Sequence, residues 1–289
     1  VREALDLDPT TAQVTVSGAA SAPIPTILQG VPLRLRDLRI AVDRPQFTLN
    51  PTSCDEEQTR ATAFSGARTA ALASRFQASS CASLGFKPKL TLKLKGKTRR
   101  SGHPAVRSVL TPRPGDANIG GATVLLPRSL QIDNSRINNP CTRVQFNENN
   151  CPAKSILGTA RAYTPLLEAP LEGPVYFRSN GGERELPDIV ADLHGQFRII
   201  LVGFIDSRKG RIRTTFAGVP DAPVSRFELK LSGGKKGLLV NNRNICAKKQ
   251  KAKLAMVAHN GRPYTVNQVV KTSCKKGKGA KKGKKGKRR

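Results

Sequence analysis

The chain is predicted to be all-β, built as two or three small antiparallel β-sandwich units fastened by disulfides. Three observations carry this. Apolar and polar residues alternate with period two in several runs, which gives a strand one greasy and one wet face. Twenty-five Gly and twenty Pro interrupt the chain at short intervals, as turns between short strands require. Six cysteines fall into three neighbouring pairs. Long helical periodicity is missing. The best helical candidate, Thr69 to Arg75, is too short to be stable alone.

At 289 residues the chain is long enough for two or three domains. A hydrophobic share of 38%, with no Trp, leaves the core to Val, Leu, Ile, Ala and ten Phe, which suits thin sandwiches better than a large enzyme fold. No run approaches the roughly 18 apolar residues of a membrane span. The chain begins at Val1 without a charged and apolar leader, so a processed product or a fragment of a longer protein is expected.

A first unit is expected over 1–85. Ala12, Val14 and Val16 form a strand ended by Ser17-Gly18, and Ala19 to Pro25 reads as a linker. Leu33 and Leu35 keep one phase while Leu38, Ile40 and Val42 keep the other, so the slip between Arg36 and Asp37 predicts a bulge or a break. Asp43-Arg44-Pro45 and Asn50-Pro51 are turns. A second unit, 86–154, opens with Lys89 to Lys95, the cleanest alternation in the chain, whose lysines discourage stray pairing. Ala122 to Leu126 is another strand. Cys141 to Cys151 closes a small loop with a polar tip, Asn147-Glu148-Asn149-Asn150.

The third unit, 155–274, holds the strongest pattern. Ile189, Ala191 and Leu193 alternate with Asp188, Asp192 and His194; Ile212, Thr214 and Phe216 with Arg211, Arg213 and Thr215; and Phe227, Leu229 and Leu231 with Arg226, Glu228 and Lys230. Ile199 to Val202 is apolar on both faces, as a doubly covered central strand would be. Asp206 to Gly210 reads as a hairpin connection with Gly210 at positive φ, and Asn260-Gly261 between two apolar runs is a strong hairpin signal.

Fifteen cysteine pairings are possible, but neighbours favour Cys54–Cys81, Cys141–Cys151 and Cys246–Cys274, with an oxidising, extracytoplasmic setting. No Cys-x-x-Cys pair exists, which leaves zinc and redox motifs without support. From Lys275 to Arg289 nothing can be buried and like charges repel, so a disordered basic tail is expected.

Several strings occur together: Val42-Asp43-Arg44-Pro45 with Thr48 to Cys54; Cys151-Pro152 with Ser155 and Gly158; Gly173-Pro174-Val175-Tyr176; Val219-Pro220-Asp221-Ala222-Pro223; and Gly233-Gly234 with Leu238 to Asn241. On these the chain resembles uncharacterised secreted bacterial proteins that carry immunoglobulin-like β-sandwich repeats, over most of residues 20–274. The resemblance implies export and an envelope or extracellular setting, and it transfers no catalytic residues.

Chemistry finds little support. No Gly-x-Ser-x-Gly elbow and no phosphate-binding Gly-rich loop exists. Asp192 and His194 share a strand face and form the only nominable acid–base pair, read here as surface residues. His103 and His259 fall in loops as exposed polar residues. Asp206 has Arg208 and Lys209 beside it, which repel a cation, and Glu183 and Glu185 read as solubilising. No enzyme, metal or cofactor is expected.

Charge is the functional signal. Lys and Arg exceed Asp and Glu by 30, and taking away the ten basic residues of the tail still leaves +20. Such a field attracts anionic cell-surface polymers or other polyanions, with other envelope proteins as further partners. The polyanion contacts are assigned to Lys275, Lys276, Lys278, Lys281, Lys282, Lys284, Lys285, Lys287, Arg288 and Arg289. The expectation is a non-enzymatic secreted structural or adhesive module. The rivals are a sequence-independent nucleic-acid binder and a carbohydrate-acting enzyme.

Overall fold

The fold was obtained as a computed structural model, which describes residues 3–7, 14–18, 25–34, 36, 37, 39, 49–65, 68–137 and 139–274. Three short ribbons come first. Strand β1 (Glu3–Leu7) pairs with β2 (Val14–Gly18), β3 (Ile27–Leu28) with β4 (Val31–Pro32), and β5 (Glu56–Ser65) with β6 (Arg68–Gln77). Thr69 to Arg75 therefore lies in a strand and not in a helix. Its residues pair across to Gln58 through Phe64, and that ladder overrides a weak local helix preference. The residues expected to slip around 36 lie mostly outside the described ones, and Leu33, Arg34, Arg36, Asp37 and Arg39 are in no strand.

The body is one sheet. Its strands are β7 (Lys89–Lys95), β8 (Ala105–Thr111), β9 (Ile119–Leu125), β11 (Ile156–Tyr163), β12 (Leu171–Arg178), β13 (Asp188–Leu193), β14 (Ile199–Arg208), β15 (Arg211–Phe216), β16 (Arg226–Leu231), β18 (Lys251–Ala258) and β19 (Pro263–Val269). Between them, β10 (Leu130–Ile132) pairs with β17 (Leu239–Asn241), and helix α1 (Arg143–Asn147) follows Cys141. The strand order is β19-β18-β9-β15-β14-β13-β12-β11-β16-β8-β7. Every neighbouring pair is antiparallel.

This topology corrects the expected division at residue 154. Strand β9 inserts between β15 and β18, and β8 pairs with β16, so 86–154 and 155–274 share one sheet. No separate sandwich units are seen among the described residues. The reason is that β7, β8 and β9 are too few to cover a core, and their greasy faces find partners only in strands farther along the chain.

The sheet curls until its edges meet. With eleven antiparallel strands the two outer ones run the same way, so a closing seam has to be parallel. It is: Lys271, just after β19, bridges Lys93 of β7 in parallel. The Lys271 N–H donates to the Leu92 carbonyl at 2.9 Å and the Leu94 N–H donates to the Lys271 carbonyl at 2.8 Å. Cys274 lies three residues on, bonded to Cys246, and the N–H of Ile245 reaches the Thr98 carbonyl beyond β7 at 2.9 Å. The third disulfide thus ties the end of the seam to the segment that hydrogen-bonds Thr98.

Alternation fills the interior. Leu90, Leu92 and Leu94 of β7 point in and its lysines point out. One cluster joins Leu92 and Leu94 to Val175, Phe177, Ile189, Leu193, Ile205 and Ile212, and takes Leu130, Leu238 and Leu239 from the β10–β17 ribbon. A second gathers Phe86, Leu90, Ile119, Leu254 and Met256. Double coverage falls on β13, buried at all six positions, whereas Ile200 of β14 is exposed; the expected central strand is one place over.

The other disulfides join sequence neighbours too. Cys141–Cys151 closes the α1 loop over β13, where Phe146 and Cys141 pack on Val190. Cys54–Cys81 closes the base of the β5–β6 ribbon. That base is held to the body by Asp221, whose carboxylate accepts from the N–H groups of Thr52 (2.7 Å) and Ser53 (2.8 Å), the Thr52 hydroxyl (2.6 Å) and the Asn118 amide (2.8 Å). Burial works against this charge, but the four donors outweigh it and keep the carboxyl below its usual pKa.

Replacing Cys246 and Cys274 by Ser is expected to lower the unfolding free energy by about 3–4 kcal/mol, since it frees a loop of 28 residues. Urea unfolding monitored by circular dichroism measures this. A loss below about 1 kcal/mol would show that the seam does not need this bond.

Candidate polyanion interface

The register of four strands sets which side chains share the outer face. Lys253 of β18 stands opposite Leu125 of β9, Leu125 opposite Arg213 of β15, and Arg213 opposite Asp206 of β14. Residues two apart share a face. The outward positions are therefore Lys251, Lys253 and Ala255; Thr123 and Leu125; Arg211, Arg213 and Thr215; and Phe204, Asp206 and Arg208. Of the inward positions between them, Leu254, Val124, Ile212 and Ile205 are apolar and join the core, while Ser207 and Thr214 are polar. A two-residue turn, Lys209-Gly210, with φ of 52° and 68°, joins β14 to β15 as a tight hairpin and lifts Lys209 onto the same edge. Gly210 thus takes the positive φ expected of it.

Together with Arg128, which follows β9, these residues line a cleft of about 480 Å³: Thr123, Leu125, Arg128, Arg208, Lys209, Arg211, Arg213, Lys253 and Ala255. Six of its nine lining residues are cationic. Asp206 is the only carboxylate among the outward positions just named, and it is paired with Arg213, which holds its pKa down. Arg211 is anchored, its guanidinium donating to the carbonyls of Leu126 (2.7 Å) and Leu125 (3.1 Å). Burial and the neighbouring Arg128 charge push the Arg211 pKa down, the mark of cations held together without a counter-ion.

The opposite half of the barrel differs. Buried Glu228 on β16 meets Arg107 at 3.3 Å, Lys230 at 3.8 Å and Arg226, and Glu172 on β12 meets Arg161. Arg107–Glu228 and Arg161–Glu172 pair across neighbouring strands, as stabilises a sheet, while Arg226 and Lys230 flank Glu228 on its own strand. What sets the β14–β15–β9–β18 side apart is that six of its cations line one cleft.

Asp192 and His194 do come together, with Nε2 of His194 3.0 Å from Asp192. Asp192 is not on a wet face, however. It is 3% exposed, and Arg198 grips it at 2.6 and 2.8 Å, which raises the Arg198 pKa. Asp188, equally buried, is held by Arg184 at 3.0 Å. Arg178 and Arg198 lie over the Phe146 ring at 5.0 and 5.5 Å. The two acids thus anchor a layer of arginines that covers β13 from outside.

The remaining candidates are structural. His103 is not an exposed loop residue: its Nε2 lies 2.7 Å from Asp133, joining two loops. His259 reaches the Val219 carbonyl at 2.9 Å. Glu183 pairs with Arg143. Among the described residues no cluster of three or more His, Cys, Asp or Glu side chains could hold a metal ion. Lys275, Lys276, Lys278, Lys281, Lys282, Lys284, Lys285, Lys287, Arg288 and Arg289 lie outside the described residues. The chain matches no protein-family model, no curated protein and no solved structure.

Two outcomes test the structural roles. Asp192→Ala is expected to cost about 3–5 kcal/mol by stranding Arg198, whereas His194→Ala, on a half-exposed ring, changes stability by less than about 0.5 kcal/mol; chemical denaturation compares them. The Asp133 pKa is held down at about 2, against an ordinary 3.8, by hydrogen bonds from Ser135 and His103. Its folded-state pKa is depressed, so its stabilisation is full above about pH 4 and is lost as pH falls towards about 2. Asp133→Asn is expected to flatten that acid limb in a pH series of thermal melts.

Proposed function

We propose that this chain is a non-enzymatic structural or adhesive module of the extracellular space or cell envelope that holds anionic polymers. The observation that carries the reading is the cleft in which Arg128, Arg208, Lys209, Arg211, Arg213 and Lys253 face outward with Asp206 as their carboxylate partner. A barrel face with this imbalance attracts polyanions and repels other cations. The terminal run Lys275 to Arg289 adds ten further positive charges to the same chain. Three disulfides support an oxidising compartment, where such bonds persist. No helix among the described residues is long and apolar enough to cross a membrane.

Nucleic acid meets the same charge through its phosphates. No aromatic ring lines the cleft on which a base could stack, so the site offers nucleic acid no more than any other polyanion.

Binding of the full chain to an immobilised wall-type polyanion, measured between 50 and 200 mM salt, is expected to weaken by on the order of a hundredfold or more, because several counter-ions return at once. An interaction indifferent to salt, or none at low salt, would overturn the reading.

A further inference from the structure

We infer that the cleft takes a short run of phosphate groups from one phosphodiester-linked polyol chain. This rests on the polyanion reading above and narrows it to a polymer class. The first argument is that the cations are spread and do not converge. Arg211 and Arg213 are two residues apart on β15, as are Lys251 and Lys253 on β18, so each pair spans roughly 7 Å. Strand β9 lies between them, which puts the two rows roughly 10 Å apart. A chain of successive anions meets both rows at once.

The second argument is how the guanidiniums are already engaged. Arg211 spends Nε and Nη2 on main-chain carbonyls, and Arg213 spends Nε and Nη2 on Asp206. The Nε–Nη2 edge of each is thus occupied inside the sheet, which leaves only the outer ends of the guanidiniums to meet a ligand. Each keeps its positive charge and its Nη1 hydrogens for a ligand, which suits successive charges along a flexible chain.

The third argument is the floor. Between the two rows lie Thr123 and Leu125, with Ala255 beside Lys253, all uncharged and none aromatic. A slender aliphatic linker fits over such a surface, whereas a nucleobase finds no ring to stack on.

The test uses the full chain and synthetic glycerol phosphate oligomers carrying one or three phosphates, with fluorescence anisotropy as readout. The trimer is expected to bind at least tenfold tighter than the monomer. Arg128→Gln with Lys253→Gln, both exposed, is expected to weaken trimer binding at least tenfold. The same pair should also flatten the log–log salt slope by about 1.4, at about 0.7 per lost contact. Lys235→Gln with Lys236→Gln, exposed and outside the cleft, removes the same charge and is expected to change affinity by less than threefold. Equal losses in the two double variants would overturn the cleft as the site while leaving polyanion binding standing. Tighter binding of single-stranded DNA carrying the same number of charges would overturn the polyol assignment. Absence of binding by the unaltered chain to every polymer would sink the broader reading too.

Discussion

The parallel seam between β7 and the residues after β19 is the constraint on which the rest of the molecule depends. A sheet of eleven strands with open edges would leave two rows of backbone N–H and C=O groups free to pair with other chains. Curling removes most of that exposure and creates an inside. Leu92 and Leu94, buried beside the seam, face Val175, Phe177 and Ile189 from the far wall only because the sheet returns on itself. The Cys246–Cys274 bond lies beside that seam and closes the loop that carries β18 and β19, which constrains the unfolded chain.

Closure also decides what the outer face can do. Once the greasy positions are committed inward, every alternate residue is on the surface, and the surface of a chain with a +30 excess is crowded with cations. On the β8–β16–β11–β12 side Glu228 and Glu172 pair with Arg107 and Arg161 across the ladder. Over β13 the acids go further and hold an arginine layer with Phe146 beneath it. On the β14–β15–β9–β18 side one aspartate faces six cations. The cleft gathers part of a general positive charge in one place.

Much of this was legible in the residues. The Lys89 to Lys95 alternation, the Asn260-Gly261 hairpin and the Gly210 turn are local signals, since strand period and positive φ are set within a few residues. The three cysteine pairs are near neighbours, and their structural bonds follow that nearness. Arg211-x-Arg213 was visible as a cationic strand face. That it shares one cleft with Lys253 was not, because β9, some ninety residues before β15, supplies the strand between β15 and β18. Asp192 likewise looked wet in the alternation. Its burial comes from Arg198 and the α1 loop, neither of which the period of the strand can announce.

By itself, then, the sequence determined the strands, their inward and outward faces, the tight turns and the sign of the surface charge, all consequences of short-range geometry and composition. Only the tertiary structure decided that the strands form one nearly closed sheet and not several sandwiches, which acids are buried and which cations stand together. Those outcomes depend on pairing between segments far apart in the chain, and a two-residue period carries no information about which partner a strand will find.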